Sequence, residues 1–232
     1  MILSKIKTTF IAGSLVLGTM LFYSSCKIDE IVDPNGPSVG GVLQDASKAD
    51  LQNLVSGIES GMRDRMNTYL DGVGIIGREE YRFSSSDPRF TSDLLGKGGA
   101  TLDNNTFYTT RPFTARYRAV KNCNILIESV DNTTAVTAEE AAGYHGFAKT
   151  MQAYQLLLVL NMQYNNGIRV DVADPANLGP FLTYAESLEA IGNLLDEAKL
   201  DLDAAGSEFS FTLSSGFDGF ENPADFTMLN RA

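Results

Sequence analysis

The stretch from Ala138 to Tyr164 reads AEEAAGYHGFAKTMQAYQLLLVLNMQY and decides the fold. It has no proline, and Phe147, Met151, Tyr154 and Leu158 recur at helical spacing. Leu156 to Leu160 is apolar on every side, which predicts a segment buried all round. Asn165-Asn166-Gly167 follows and reads as a left-handed helix end. One helix of this length, apolar on all faces near its C-terminus, needs other helices around it.

Three further helical patterns flank it. One starts near Ser47, with Asp50 as a weak capping-box acid and Leu51, Leu54, Val55, Ile58 and Met62 as its stripe. A second spans about 114–130, carried by Tyr117, Val120, Cys123, Asn124, Ile127 and Val130. A third is capped by Thr183 with Glu186, continues through Leu188, Ile191, Leu194, Leu195, Ala198 and Leu202, and closes at Gly206. The expectation is an all-α fold of paired helices with long irregular loops. No internal repeat of fixed period is visible. At the far end Pro223 suits the first turn of a helix, and an apolar pattern through Asp225-Phe226-Thr227-Met228-Leu229 has only begun at Ala232. This predicts a helix that opens a further part of a longer protein.

Two segments do not fit a helical period. Residues 72–112 hold Gly, Ser, Asp and Asn with Tyr81, Phe83, Phe90, Phe107 and Tyr108. An irregular segment of this length in a compact domain usually has a task. Tyr81, Phe83, Phe90 and Tyr108 are its candidate ligand-binding rings, against the alternative that they pin the loop to the helices. Residues 209–220 form a second aromatic-rich loop.

The N-terminus reads as an export signal. Lys5 and Lys7 precede an uncharged apolar run from Phe10 to Tyr23, too short for a mature membrane span, and Ser24-Ser25 lead into Cys26. That order predicts a lipoprotein signal over residues 1–25 and lipidation of Cys26. Tyr23 stands where such signals usually carry leucine. Lys27, Asp29 and Glu30 follow, then Asp33-Pro34-Asn35-Gly36-Pro37 and Gly40-Gly41, so residues 26–44 read as a tether. Treated as coil, residues 27–44 reach roughly 20–25 Å. The helical domain then occupies residues 45–232.

Removing residues 1–25 takes away Lys5 and Lys7, lowering the basic count from 18 to 16 against 29 acids. So acidic a chain has no electrostatic footprint for nucleic acid, and any hold on a membrane falls to the lipid. Of its two cysteines the anchor takes one, so no internal disulfide is expected. His145 is the only histidine and falls on a polar face with Lys149 and Gln152. Zinc sites of the common His/Cys kind are therefore not expected, nor any other cofactor. Cys123 on an apolar stripe reads as a buried thiol rather than a nucleophile. Gly96-Lys97-Gly98-Gly99 lacks both the following Ser/Thr and the leading glycine of a phosphate loop. Glu139-Glu140 reads as a solvated first turn, and Glu79-Glu80 as a strut salt-bridged to Arg78 or Arg82 in preference to a glycosidase pair. The chain is not expected to be an enzyme.

Several stretches resemble one family. Tyr117-Arg118-Ala119-Val120-Lys121-Asn122-Cys123-Asn124-Ile125-Leu126 resembles the Tyr-x-x-Ile-x-x-x-Asn-x-Leu helix of SusD/RagB-type nutrient-uptake lipoproteins. Gly146-Phe147-Ala148-Lys149 through Tyr154, Leu157 and Tyr164 to Gly167 resembles their next helix, with Met151-Gln152 where Leu-Arg is common. Ser187-Leu188 and Ile191 through Asp201-Leu202 resemble the one after, and Phe226 to Ala232 the helix that opens the tetratricopeptide-like pairs. The acidic run behind Cys26 resembles the surface-export signal of Bacteroidetes lipoproteins. The resemblance covers an N-terminal half. It implies a SusD-like α-helical fold with tetratricopeptide-like units on the outer face of the outer membrane. It also implies a SusC-like TonB-dependent transporter as partner, and capture of oligosaccharide or another nutrient on aromatic platforms. Two other functions remain open from the sequence: a helical adaptor lipoprotein that binds only protein, and a surface glycosidase.

Overall fold

The computed structural model describes residues 39–232 except Ser85. The signal, most of the tether and the expected anchor Cys26 lie outside the described residues. Among the described residues seven α-helices follow in order: α1 (Val39–Asp45), α2 (Lys48–Arg63), α3 (Met66–Ile76), α4 (Phe107–Asn132), α5 (Ala138–Gln163), α6 (Tyr184–Ala204) and α7 (Pro223–Arg231). Among the described residues there is no β-strand, only an isolated antiparallel bridge between Ile168 and Leu182. The all-α expectation is met.

Local chemistry sets most boundaries. Ser47 and Asp50 form a reciprocal capping box at α2, Thr137 and Glu140 at α5, and Thr183 and Glu186 at α6. Each box contributes on the order of 1 kcal/mol. Glu140 is thus a cap that also meets Lys48 at 2.6 Å, not merely a solvated acid. Asn222 caps α7, with Pro223 in its first turn.

α5 is the central helix. It packs most extensively on α6 on one side and on α4 on the other, and α2 covers α4. Where α5 meets α6, a Cβ on Gly146 would stand 2.6 Å from Leu202 Cγ, so only glycine allows this approach. The main core joins Leu51, Val55 and Ile58 of α2, Cys123, Leu126 and Val130 of α4, Tyr144, Phe147 and Met151 of α5, and Phe226 of α7. A second cluster gathers Val120, Leu156, Val159, Leu160, Ile168 and Ile191. Leu156, Val159 and Leu160 are fully buried and Leu158 nearly so, while Leu157 is half-buried, so the all-apolar run is buried on all but one side. Cys123 is also fully buried, and burial pushes its thiol pKa far above the usual value.

Three boundaries correct the sequence reading. The tether does not extend to residue 44. Val39–Asp45 is a short helix held by α4, because Asn132 donates to the Leu43 carbonyl at 2.9 Å and Thr133 to the Ala46 carbonyl at 2.6 Å. The irregular segment begins at Gly77 rather than at residue 72, because α3 intervenes. Its buried face is Thr68, Tyr69, Gly72 and Ile75, while Leu70, Val73 and Ile76 are exposed, so its pattern inverts the one a reader looks for. The segment also ends early: α4 starts at Phe107 and carries Pro112 in its second turn. A proline there removes one backbone bond, and burial of Tyr108 and Pro112 offsets that loss.

One polar joint holds α2, α4 and α5 together. Arg116 of α4 is fully buried. Its guanidinium donates to the carbonyls of Met62 (2.7 Å), Gly61 (3.4 Å) and Asp64, and to Gln155 Oε1 (2.8 Å). The last carbonyls of α2 are orphaned by helix geometry and carry the negative end of its dipole, so a cation from α4 satisfies both needs. Burial lowers the arginine pKa from its ordinary value, yet the group stays charged at any physiological pH.

The polar stripe His145, Lys149 and Gln152 on α5 does not face solvent. His145 Nε2 lies 3.1 Å from Asp131, Lys149 lies between Glu197 (3.3 Å) and Asp201 (2.9 Å), and Gln152 donates to Asn124 at 2.8 Å. It forms seams to α4 and α6.

Candidate functional site

The loop after α5 builds one wall of a groove. Gly167 has φ +68, and a Cβ there would lie 1.9 Å from the Leu182 carbonyl oxygen. That glycine lets the chain turn back so that Ile168 and Leu182 exchange backbone bonds of 3.2 and 2.9 Å. Arg169 donates to the Gly179 carbonyl, and the Gly179 amide donates to the Asp171 carbonyl at 3.0 Å. The loop from 167 to 183 is thereby closed on itself. Tyr117 of α4 donates to the Arg169 carbonyl at 2.8 Å and ties the loop to the opposite wall.

The resulting groove has a volume of about 700 Å³. Phe113, Tyr117 and Thr109 of α4 form one wall, Val172, Leu178 and Phe181 of the loop the other, and Met162 and Gln163 at the end of α5 lie between. Its surface is mostly apolar, and Asn104, Gln163 and Asn166 are among the polar residues that line it. Phe181 is 67% exposed and Phe113 37%. Phe113 stands 4.9 Å from Tyr117 between ring centroids, and the Arg169 guanidinium lies 4.4 Å over the Phe181 ring. Exposed rings beside amide groups match the two faces of a sugar, the C–H surface and the hydroxyl edge.

The four rings singled out from the sequence separate into two pairs. Tyr81 and Phe83 are exposed, at 60% and 88%. Phe90 and Tyr108 are buried with Ile75 and Leu94 in a small third core, and Phe107 packs on its edge. Tyr108 donates to Asp93 at 2.9 Å and accepts from the Asp103 amide at 2.8 Å, so both of its ends are engaged. Phe90 and Tyr108 therefore pin the segment to α3 and α4 and offer no platform. The groove rings Phe113 and Phe181 escaped the sequence reading. Phe113 falls between the irregular segment, read as ending at 112, and the helix, read as starting near 114, and Phe181 is a lone ring in the connection from 167 to 183.

The acids Glu79 and Glu80 are exposed, and neither pairs with an arginine among the described residues. The strut is elsewhere: Arg82 pairs with Asp71, and Arg78 donates to the Leu95 carbonyl at 3.3 Å. The second aromatic-rich loop turns its rings inward: Phe211 and Leu213 are buried in the main core, and Phe209, Phe217 and Phe220 pack against it. Among the described residues no group of three or more His, Cys, Asp or Glu is placed to hold a metal ion. No described helix is long and apolar enough to cross a membrane. Compared with known protein families, with curated proteins and with solved structures, the chain gives no match.

Proposed function

We propose that this chain is a ligand-capturing lipoprotein, anchored through Cys26, whose groove between α4 and the 167–183 loop takes an oligosaccharide. The observation that carries the reading is that exposed Phe113 and Phe181 line one open, mostly apolar groove together with Asn104, Gln163 and Asn166. Stretches along α4, α5 and α6 that resemble SusD/RagB-type proteins support a SusD-like fold with tetratricopeptide-like pairs. They also support a place on the outer membrane facing outward, with a SusC-like TonB-dependent transporter receiving the ligand. The reading is of a binder without catalytic activity. An open groove with aromatic edges suits loading and release more than sequestration.

Affinity electrophoresis of the full chain in a panel of neutral polysaccharides tests this. Phe181→Ala and Phe113→Ala should each weaken retention by the bound glycan about tenfold, with stability changed by no more than about 0.5–1 kcal/mol. Wild-type retention in both variants, or retention of no glycan by the parent chain, overturns the reading. Release of reducing ends during incubation would favour a glycosidase instead.

A further inference from the structure

A second, smaller pocket lies around the start of α4, and its chemistry differs from that of the groove. Its volume is about 330 Å³, and it is lined by Arg65, Arg82, Arg89 and Arg111 with only two carboxylates, Asp71 and Asp87. This is a chain with 29 acidic and 18 basic residues, so four guanidiniums around one small cavity run against its overall charge. Two of the four are spoken for. Arg82 pairs with Asp71, and Arg89 spends its fork on Asp87 at 2.9 and 2.8 Å. The other two are not. Arg111 has no ion pair or hydrogen bond among the described residues, and Arg65 has only a 3.5 Å contact with Asp64, which also meets Arg118 at 3.5 Å.

Aromatic rings lie beside three of the four. The Arg82 guanidinium lies 4.4 Å over Phe90, and those of Arg89 and Arg111 lie 4.7 and 5.6 Å from the centre of the same ring, Phe107. Stacking uses the face of a guanidinium and leaves its N–H edge free to bond. Asp87 offsets the charge of Arg89 at this ring, while Arg111 brings a second cation with no acidic partner among the described residues. Ser84 and Ser86 line the same cavity, and the exposed rings Tyr81 and Phe83 flank Arg82 in sequence.

We propose that this pocket binds the oxyanion, carboxylate or sulfate, of an acidic saccharide, with Arg111 and Arg65 as the donors and Arg82 and Arg89 as the charged frame. In naming the rest of the ligand as a saccharide, the inference rests on the reading of the groove; the anion site itself stands on the arginines. The first turns of α4 join the two sites. Thr109, Thr110 and Phe113 face the groove, while Phe107 and Arg111 face the pocket. At 3.6 residues per turn the two sets lie about a third of a turn apart around the helix.

The test titrates glucuronate, glucose 6-sulfate and glucose into the full chain and follows binding by calorimetry and ligand-detected NMR. One or both acids should bind at least tenfold tighter than glucose at 50 mM NaCl, and most of that advantage should vanish at 500 mM salt. Which acid leads distinguishes a planar carboxylate from a tetrahedral sulfate. R111Q, at an exposed position, should abolish the advantage and R111K should restore part of it. Equal binding of the three sugars by the parent chain overturns the proposal, and so does an undiminished advantage in R111Q. The groove is scored separately, by retention in neutral polysaccharide. Neutral retention without acid preference sinks the anion site alone, and acid preference without neutral retention sinks the groove alone.

Discussion

Two irregular segments, 77–106 and 205–222, are both rich in aromatic rings, yet they do opposite things with them. In the second, Phe209, Phe211 and Phe217 join Phe226 of α7 and Tyr144 and Phe147 of α5 in one cluster, with neighbouring ring centroids 4.5–6.5 Å apart. Its backbone is also spoken for by side chains of α2. Gln52 exchanges bonds of 2.9 and 2.7 Å with Thr212, Glu59 accepts from the Ser214 amide at 2.9 Å, and Arg63 donates to the Ser214 hydroxyl at 2.8 Å. Gln52, Glu59 and Arg63 share one face of a helix, so α2 supplies a ladder that the loop lies along. The first segment is tied at scattered points instead: Tyr108 of α4 bonds Asp93 and the Asp103 amide, and Asp71 of α3 pairs with Arg82. It turns on its own Asp87 and Asp103, buries Phe90, and leaves Tyr81 and Phe83 outside. Ring density in a loop therefore says little about ligands; what matters is whether a helix face waits to receive the rings.

The difference sets an order of losses on truncation. Phe211→Ala opens the six-ring cluster and should cost about 3–5 kcal/mol in urea unfolding. A smaller loss than that of any single ring in the 77–106 segment would reverse the contrast. Phe90→Ala empties a satellite core of four buried residues near the surface, and about 2–3 kcal/mol is expected, at or below the low end for such changes. If unfolding becomes biphasic, with α3 released first, the two segments also differ in how far they join the global transition. Tyr81→Ala and Phe83→Ala should shift stability by no more than about 0.5 kcal/mol. A loss above 1 kcal/mol at either would mean that these rings are seated, and the contrast would blur.

The helices were legible because their signals are local. Capping pairs such as Thr183 with Glu186, and stripes such as Val120, Cys123 and Ile127, need no knowledge of neighbours. α1 and α3 were not, since tertiary contacts hold them against weak propensity: two glycines in Val39–Asp45, and an inward face of Thr68 and Gly72 with leucine and valine turned out. Pro112 concealed the true start of α4 for a similar reason. The groove was illegible because it is assembled from Phe113, Gln163 and Phe181, which lie far apart in sequence and meet only after the 167–183 loop closes. Of the four rings chosen, nothing in the sequence distinguishes Phe83 from Phe90, although the first is 88% exposed and the second 6%.

Arg116 also bears on how the molecule breathes. A helix end is ordinarily the first part to fray, exchanging its amide protons through small, independent openings. The carbonyls that close α2 are instead fastened to a guanidinium rooted in the middle of α4 and held from the far side by Gln155 of α5. The last turn of α2 cannot loosen by itself without stranding a buried charge. Its opening is tied to the parting of three helices, so the end of α2 takes its protection from the whole bundle and not from its own hydrogen bonds.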